Sequence, residues 1–312
     1  MTRNGAPERE ARPTMEVVLF AGCGDLGMRA ARRALARGHE VWALRRNPPG
    51  DAGGDASDGS GGGMGSSGQA GGPGIRWLRG DLSDPATLAA LPRHIDRLAY
   101  LPAPGGRSED LYRSVFIDGL RHVLARVDAG RLRRLVFVSS SAVYGEHGGD
   151  WVDEDTPEAP QGFNGRILLE AERWLAAQGL PAVRLRLAGL YGPGRLQLIE
   201  RLRAGAARAP RHPPHWANRM HIDDAAAAVD HLLHLPDALP VYLGCDDTPL
   251  PLHALYAHLA RLVGAPEPAE GPAPAGVGSK RLRNARLRAS GSELAWPDAR
   301  AGYAALLGGR AT

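Results

Sequence analysis

At 312 residues, 43% of them apolar and 23% charged, the chain suits one large domain or two closely packed ones with ample core. Its 38 basic and 34 acidic residues leave +4, dispersed without a basic stripe, which argues against nucleic acid as a partner. No stretch approaches the ~18 uninterrupted apolar residues of a membrane span. The N-terminus lacks a cleavage pattern, and Cys23 and Cys245 are too few and too far apart for a disulfide framework or a structural zinc site. The expectation is a cytoplasmic protein whose partner is a small molecule.

Residues 1–13 read as a disordered tail. Behind it, β-rich runs alternate with helical stretches. Strands are expected at Met15–Ala21, Glu40–Leu44, Ile75–Leu78, Arg97–Leu101, Arg134–Ser139 and Ala182–Leu187. Helices are expected between them at Leu26–Arg37, Pro85–Ala90, Glu109–Asp128 and Arg166–Gln178. This alternation predicts an α/β fold, a Rossmann-type doubly wound parallel sheet over residues 14–188 with right-handed crossovers. Residues 50–74 interrupt it: 12 of these 25 positions are glycine, so the segment cannot bury enough apolar surface to offset its chain entropy and reads as a flexible insertion. Residues 189–312 read mainly as a small C-terminal substrate lobe, with helices at Gln197–Ala207, Asp223–Leu235 and Leu252–Val263. A strand near 241–243 returns to the sheet.

The first strand runs straight into Gly22-Cys23-Gly24-Asp25-Leu26-Gly27, with a helix behind it. That placement makes a glycine pattern informative. A tight turn is needed at Gly22, close approach of backbone to a pyrophosphate at Gly24, and close helix–strand contact at Gly27. Helix N-terminal N–H groups then face the phosphates. The second strand ends in Arg45-Arg46, where an acidic residue would bond both ribose hydroxyls of NAD. A guanidinium fork suits the 2′-phosphate of NADP, so NADP is preferred over NAD; the alternative is that both arginines are solvated strand-end charges. Asp81 and Leu82 fit an adenine subsite, although Asp81 could equally cap a helix. Ala99 to Pro102 would border the ribose and nicotinamide.

These motifs occur in order with Val138-Ser139-Ser140-Ser141-Ala142-Val143-Tyr144-Gly145, Asp153-Glu154-Asp155-Thr156-Pro157, Leu190-Tyr191-Gly192-Pro193-Gly194-Arg195 and His221-Ile222-Asp223-Asp224. Together they resemble an extended short-chain dehydrogenase/reductase of the NAD-dependent epimerase/dehydratase family. The resemblance implies a carbinol or carbonyl reaction run by a Ser/Thr, a Tyr and a Lys four residues after the Tyr. Ser140 falls where the family's Ser/Thr stands. On the expected helix Arg166 replaces the Lys and Gly162 the Tyr, so the YxxxK pair is absent, a departure shared with the atypical YeeZ-like branch. Lys280 is the one lysine of the chain and is preceded four residues earlier by Gly276.

Arg166 could bind nicotinamide ribose but stays protonated and cannot act as a base. Tyr144, close behind Ser140, is a candidate proton donor or substrate contact, and His147 a second donor. His221, Asp223 and Asp224 resemble metal ligands by type, but the two aspartates open a helix, where carboxylates suit the dipole; no metal is expected. The resemblance to enzymes acting on nucleotide sugars makes Arg195, Arg219, Lys280 and Arg281 candidates for an anionic substrate. Trp216 and Trp296 either line the pocket or fill the small lobe. Two functions remain: an NADP-dependent oxidoreductase or epimerase acting on a small carbonyl or hydroxyl compound, or a catalytically impaired dinucleotide sensor or scaffold. The expected assembly is a monomer or homodimer.

Overall fold

Seven parallel strands carry the molecule. The computed structural model describes residues 15–49 and 74–308, so the expected N-terminal tail and nearly all of the glycine-rich insertion lie outside the described residues. The strands are β1 (Val17–Ala21), β2 (Glu40–Arg45), β3 (Arg76–Arg79), β4 (Arg97–Tyr100), β5 (Arg134–Ser140), β6 (Ala182–Leu187) and β7 (Val241–Gly244), in spatial order 3-2-1-4-5-6-7. Every neighbouring pair is parallel. The winding reverses between β1 and β4, and the cleft outside their carboxyl ends is where such sheets take ligands.

Both faces of the sheet are covered, which explains why its strands read as near-continuous apolar runs. On one face lie α1 (Asp25–Ala36) and, further along the chain, Ile222–His234; on the other lie Glu109–Arg126 and Phe163–Ala176. Helix α1 buries Leu26, Gly27, Ala30, Ala31 and Ala34, a stripe of small residues at helical spacing that lets it approach the sheet closely.

The expected helix at Glu109–Asp128 is broken into α2 (Glu109–Arg113), a π turn at Ser114–Asp118, and α3 (Gly119–Arg126). Ser108 caps its start by accepting from the Leu111 N–H. The helix expected at Pro85–Ala90 is a single 3₁₀ turn, Pro85–Leu88, capped by Asp84, because Leu88 is its one buried anchor. Helix α4 (Phe163–Ala176) begins three residues earlier than expected, from Gly162.

Beyond β6 come α5 (Gln197–Arg203), α6 (Ile222–His234), α7 (Leu252–Leu262), α8 (Ala285–Ala289) and α9 (Ala299–Leu306). Helices α5, α7 and α9 enclose a separate core around Ile199, Leu202, Leu255, Leu259 and Tyr303. Helix α6 does not belong to that group. It lies against α1 and buries nine of its 13 residues on the sheet side.

Candidate cofactor and substrate cleft

Two adjoining cavities open at the carboxyl edge of the sheet and share Gly24, Pro102 and Ala103. The first, about 490 Å³, is lined among others by Gly22, Cys23, Arg45, Arg46, Asp81 and Leu82. The second, about 300 Å³, is lined by Asp25, Leu26 and Gly27, by Ser139, Ser140 and Asn164, and by Tyr112, Phe116, Leu190 and Arg195. One follows the other across the α1 N-terminus, the layout an elongated dinucleotide requires.

The three glycines have three different physical reasons. Gly22 has φ +83°, and a Cβ there would stand 2.5 Å from the Pro102 Cα. A Cβ at Gly27 would meet Leu101 Cδ1 at 2.6 Å, so glycine lets α1 sit down on the sheet. At Gly24 a Cβ would meet nothing within 4 Å. That empty cradle borders both cavities, and the first-turn N–H groups of α1, which have no partner within the helix, lie beside it. The residues present therefore fit a dinucleotide diphosphate. Cys23 contributes backbone only: burial pushes its thiol up to about 12, leaving it inert.

At the other end of the first cavity, the Arg46 guanidinium lies against Gly105, whose Cβ would be 3.2 Å from Nη2. Asp81 accepts from both the N–H and the hydroxyl of Ser83, at 2.9 and 2.7 Å. Partial burial raises its pKa, but those two bonds and the nearby Arg46 outweigh that and hold it below the usual carboxylate value. The helix cap in this loop is Asp84, not Asp81.

In the second cavity Ser140 Oγ accepts from the Ala142 N–H at 3.2 Å, which leaves its own proton free to donate. Three further polar atoms are buried without a hydrogen-bond partner: Ser139 Oγ, Asn164 Oδ1 and Arg195 Nε. Their residues all line this one cavity. Unpartnered buried polar groups are costly, about 1–3 kcal/mol each, and these three belong to residues of one cavity wall. Ser139 and Asn164 escape sequence reading because nothing in their spacing brings the end of β5 to the start of α4.

Four expectations need correction. Tyr144 is wholly buried, and its hydroxyl accepts from Arg186 at 2.8 Å within a cluster completed by Glu172 and Glu158. Burial pushes its pKa up to about 12, so it neither touches a substrate nor donates a proton in the cleft. Arg166 is exposed on α4 and donates to the Gln161 carbonyl at 2.8 Å, outside the lining of both cavities. Of Ala99 to Pro102, Ala99 is fully buried within β4, while Leu101 and Pro102 line the cleft together with Ala103, past the end of the strand. Lys280 is not a surface cation: it is 3% exposed, donating to the carbonyls of Gly145 and Gly278.

Of the remaining candidates, Arg195 reaches the second cavity, 3.6 Å from Asp25. Arg219 lies beneath Gly189 with Nε buried and unpartnered, and it lines neither cavity. Arg281 is sandwiched between the rings of Trp151 and Trp216. His221 caps α6, Asp223 pairs with Arg29, and Asp224 accepts from the N–H groups of Ala295 and Trp296. His147 faces the Tyr144 carbonyl.

Residues 19–242 match the model of the NAD dependent epimerase/dehydratase family. The chain is 33% identical to Protein YeeZ of Escherichia coli K12 over 156 residues, 49% of this chain and 54% of YeeZ, so the match spans about half the length of that relative. It is 27% identical to the 2-alkyl-3-oxoalkanoate reductase of Stenotrophomonas maltophilia, over 81% of this chain and 77% of that one. Among solved structures, an NAD-dependent epimerase/dehydratase from Methylobacillus flagellatus is 35% identical, with a TM-score of 0.72 over 95% of this chain and 98% of its own.

Proposed function

Since this chain belongs to the NAD-dependent epimerase/dehydratase family, we propose that it is an NADP(H)-dependent oxidoreductase or epimerase acting on a small, anionic carbonyl or hydroxyl compound. The observation that carries the reading is the empty cradle at Gly24 between the two cavities. Bound there, the dinucleotide supplies hydride transfer; binding and orientation are the work of the chain's own residues. The Gly22–Gly27 turn and the α1 N-terminus hold the diphosphate. Leu82 and Asp81 border the adenosine end. Arg45 and Arg46, which line that end where no carboxylate does the same from β2, favour a 2′-phosphate. Ser140 donates a hydrogen bond to the substrate oxygen, and Arg195 receives its negative charge.

An anionic carbonyl substrate also accords with the named substrate of one relative, a 2-alkyl-3-oxoalkanoate. Among the described residues no helix is long and apolar enough to cross a membrane. The reading is of a cytoplasmic protein, monomeric or homodimeric.

Fluorescence titration tests the cofactor choice. NADPH is expected to bind at least tenfold tighter than NADH. In an Arg45→Ala, Arg46→Ala variant NADPH is expected to weaken by ~10–100-fold, the loss of one or two charge-assisted bonds, while NADH changes little. Equal affinities in the wild type would contradict the preference for NADP.

One observation favours the sensor or scaffold alternative: α4 carries Gly162 and Arg166 where the family's Tyr and Lys stand, and Arg166 turns away from the cleft. That alternative predicts tight NADP(H) binding without turnover, and a partner protein whose association depends on the cofactor's redox state.

A further inference from the structure

Reduction of a carbonyl needs a proton as well as an electron pair, and α4 offers no acid for it. The cavity itself must supply one. Its serines and Asn164 are too weakly acidic, Arg195 stays protonated, and Asp25 is tied to Arg29 at 2.8 Å. The chain has seven tyrosines. Tyr100, Tyr144, Tyr191, Tyr242, Tyr256 and Tyr303 are each 5% exposed or less, and none of them lines the second cavity. Tyr112 is the seventh. It is partly exposed, lines that cavity beside Ser139, Ser140 and Asn164, and its hydroxyl has no hydrogen-bond partner among the described residues.

The fold aims this side chain. Tyr112 lies on α2, two residues before the helix opens into its π segment. Leu111 and Val115 line the first cavity, Tyr112 and Phe116 the second, so this helix forms a wall common to both. The Tyr112 ring is held edge-on to Phe163 in the first turn of α4 (centroids 5.3 Å apart, planes at 85°) and tilted against Phe116 at 5.4 Å. A phenol fixed there reaches the cavity from the opposite element to the one on which the family places its tyrosine. A side chain at Gly162 would have to displace the Asn164 carboxamide, since a Cβ there would lie 2.6 Å from Asn164 Oδ1.

We infer that Tyr112 is the proton donor of this site, acting on a substrate oxygen held by Ser140; the inference rests on the oxidoreductase reading above. A reduced nicotinamide dinucleotide held by the Gly22–Gly27 turn would supply hydride, two electrons and one hydrogen, to the carbonyl carbon. The C=O π pair passes to oxygen, which takes the phenolic proton of Tyr112, and water at the cavity mouth reprotonates the phenolate. The product is the alcohol, and the cofactor leaves oxidised. Ser139, without a partner of its own, and Arg195, which also faces Asp25 at 3.6 Å, complete the bonds of an acidic substrate.

The first test needs no turnover. In an alkaline titration followed at 295 nm, Tyr112→Phe is expected to remove one phenol ionisation step. Saturating NADP+, whose nicotinamide ring is cationic, is expected to move the step to lower pH. A step that NADP+ binds without moving, or one that survives in Tyr112→Phe, overturns the inference. The second test follows NADPH consumption with phenylglyoxylate and ethyl 2-methyl-3-oxobutanoate as probes. Tyr112→Phe, which keeps the ring and its contacts, is expected to lose ~10²–10⁴-fold in rate with NADPH affinity unchanged. Unchanged turnover in the variant overturns the inference, as does a wild type that binds NADPH and reduces neither probe. Failure to bind either form of the cofactor is a different result: it removes the oxidoreductase reading, and the inference falls with it.

Discussion

Of the three glycines in the turn after β1, one is not required by the fold. Gly22 and Gly27 are tied to the fold, because a methyl at either would run into Pro102 or Leu101. Gly24 is not, since a methyl there enters open space at φ −83°, which any residue adopts. Gly24→Ala is therefore expected to melt within about 2 °C of the wild type, as changes of a few tenths of a kcal/mol do in a chain of this size. It should lose at least ~10-fold in NADPH affinity, a factor worth about 1.4 kcal/mol. Gly22→Ala is expected to lose stability as well, which a thermal melt beside the binding titration separates. The glycine pattern and the two arginines are legible in the sequence because a local motif carries them. Tyr144 is not, for the opposite reason: its fate is decided by Arg186, 42 residues away, whose guanidinium is satisfied by Glu172, Glu158 and that phenol together.

Among the elements, the strands are legible to within two residues, since buried parallel strands announce themselves as apolar runs. The π turn at Ser114–Asp118 is not, because the apolar periodicity of a π turn this short does not stand out from that of the α-helical turns on either side. Helix α6 reads from sequence as part of the small lobe for a similar reason: its alanine-rich face fits α1, and only the three-dimensional neighbourhood shows that. What pins α6 there is a chain of neutral histidines. The Glu16 N–H donates to His39 Nδ1, which assigns the proton of His39 to Nε2, 3.0 Å from His234 Nε2. His234 Nδ1 then donates to the Asp230 carbonyl. Burial lowers the pKa of both rings, with Arg97 and Arg37 adding to the effect and Glu16 and Asp230 opposing it. The unfolded chain therefore takes up these protons first. Stability is full above the unfolded histidine value of ~6.5 and falls as pH drops through it. Urea unfolding at pH 7.5 and pH 5.5 is expected to show a larger acid loss for the wild type than for His234→Gln; equal losses would mean that the histidine pair does not set the acid sensitivity.

Over the whole molecule, the one lysine ties the segment around Gly278 back to the loop that follows β5. Lys280 bridges the Gly145 loop, just past the Ser140 turn, to the carbonyl of Gly278, and burial pushes its pKa down to about 8. Between pH 8 and the unfolded lysine value of ~10.4 the unfolded chain holds the extra proton, so this group adds stability as pH rises, on the order of 2 kcal/mol. Relative to Lys280→Met, the wild type is expected to gain stability from pH 8 to pH 10; a constant difference would contradict the burial of the ammonium. Composition shows the scarcity of lysine but not its burial, which depends on how a proline-rich segment folds back. The reading of the site turns on whether the loop after β1 binds a nicotinamide dinucleotide, and calorimetry with NADP+ on the wild type and Gly24→Val decides it. Measurable binding heat is expected for the wild type, and none for the variant, whose melting temperature stays unchanged. Equal heats for the two proteins, or none for the wild type with either NADP+ or NAD+, would show that this loop holds no dinucleotide.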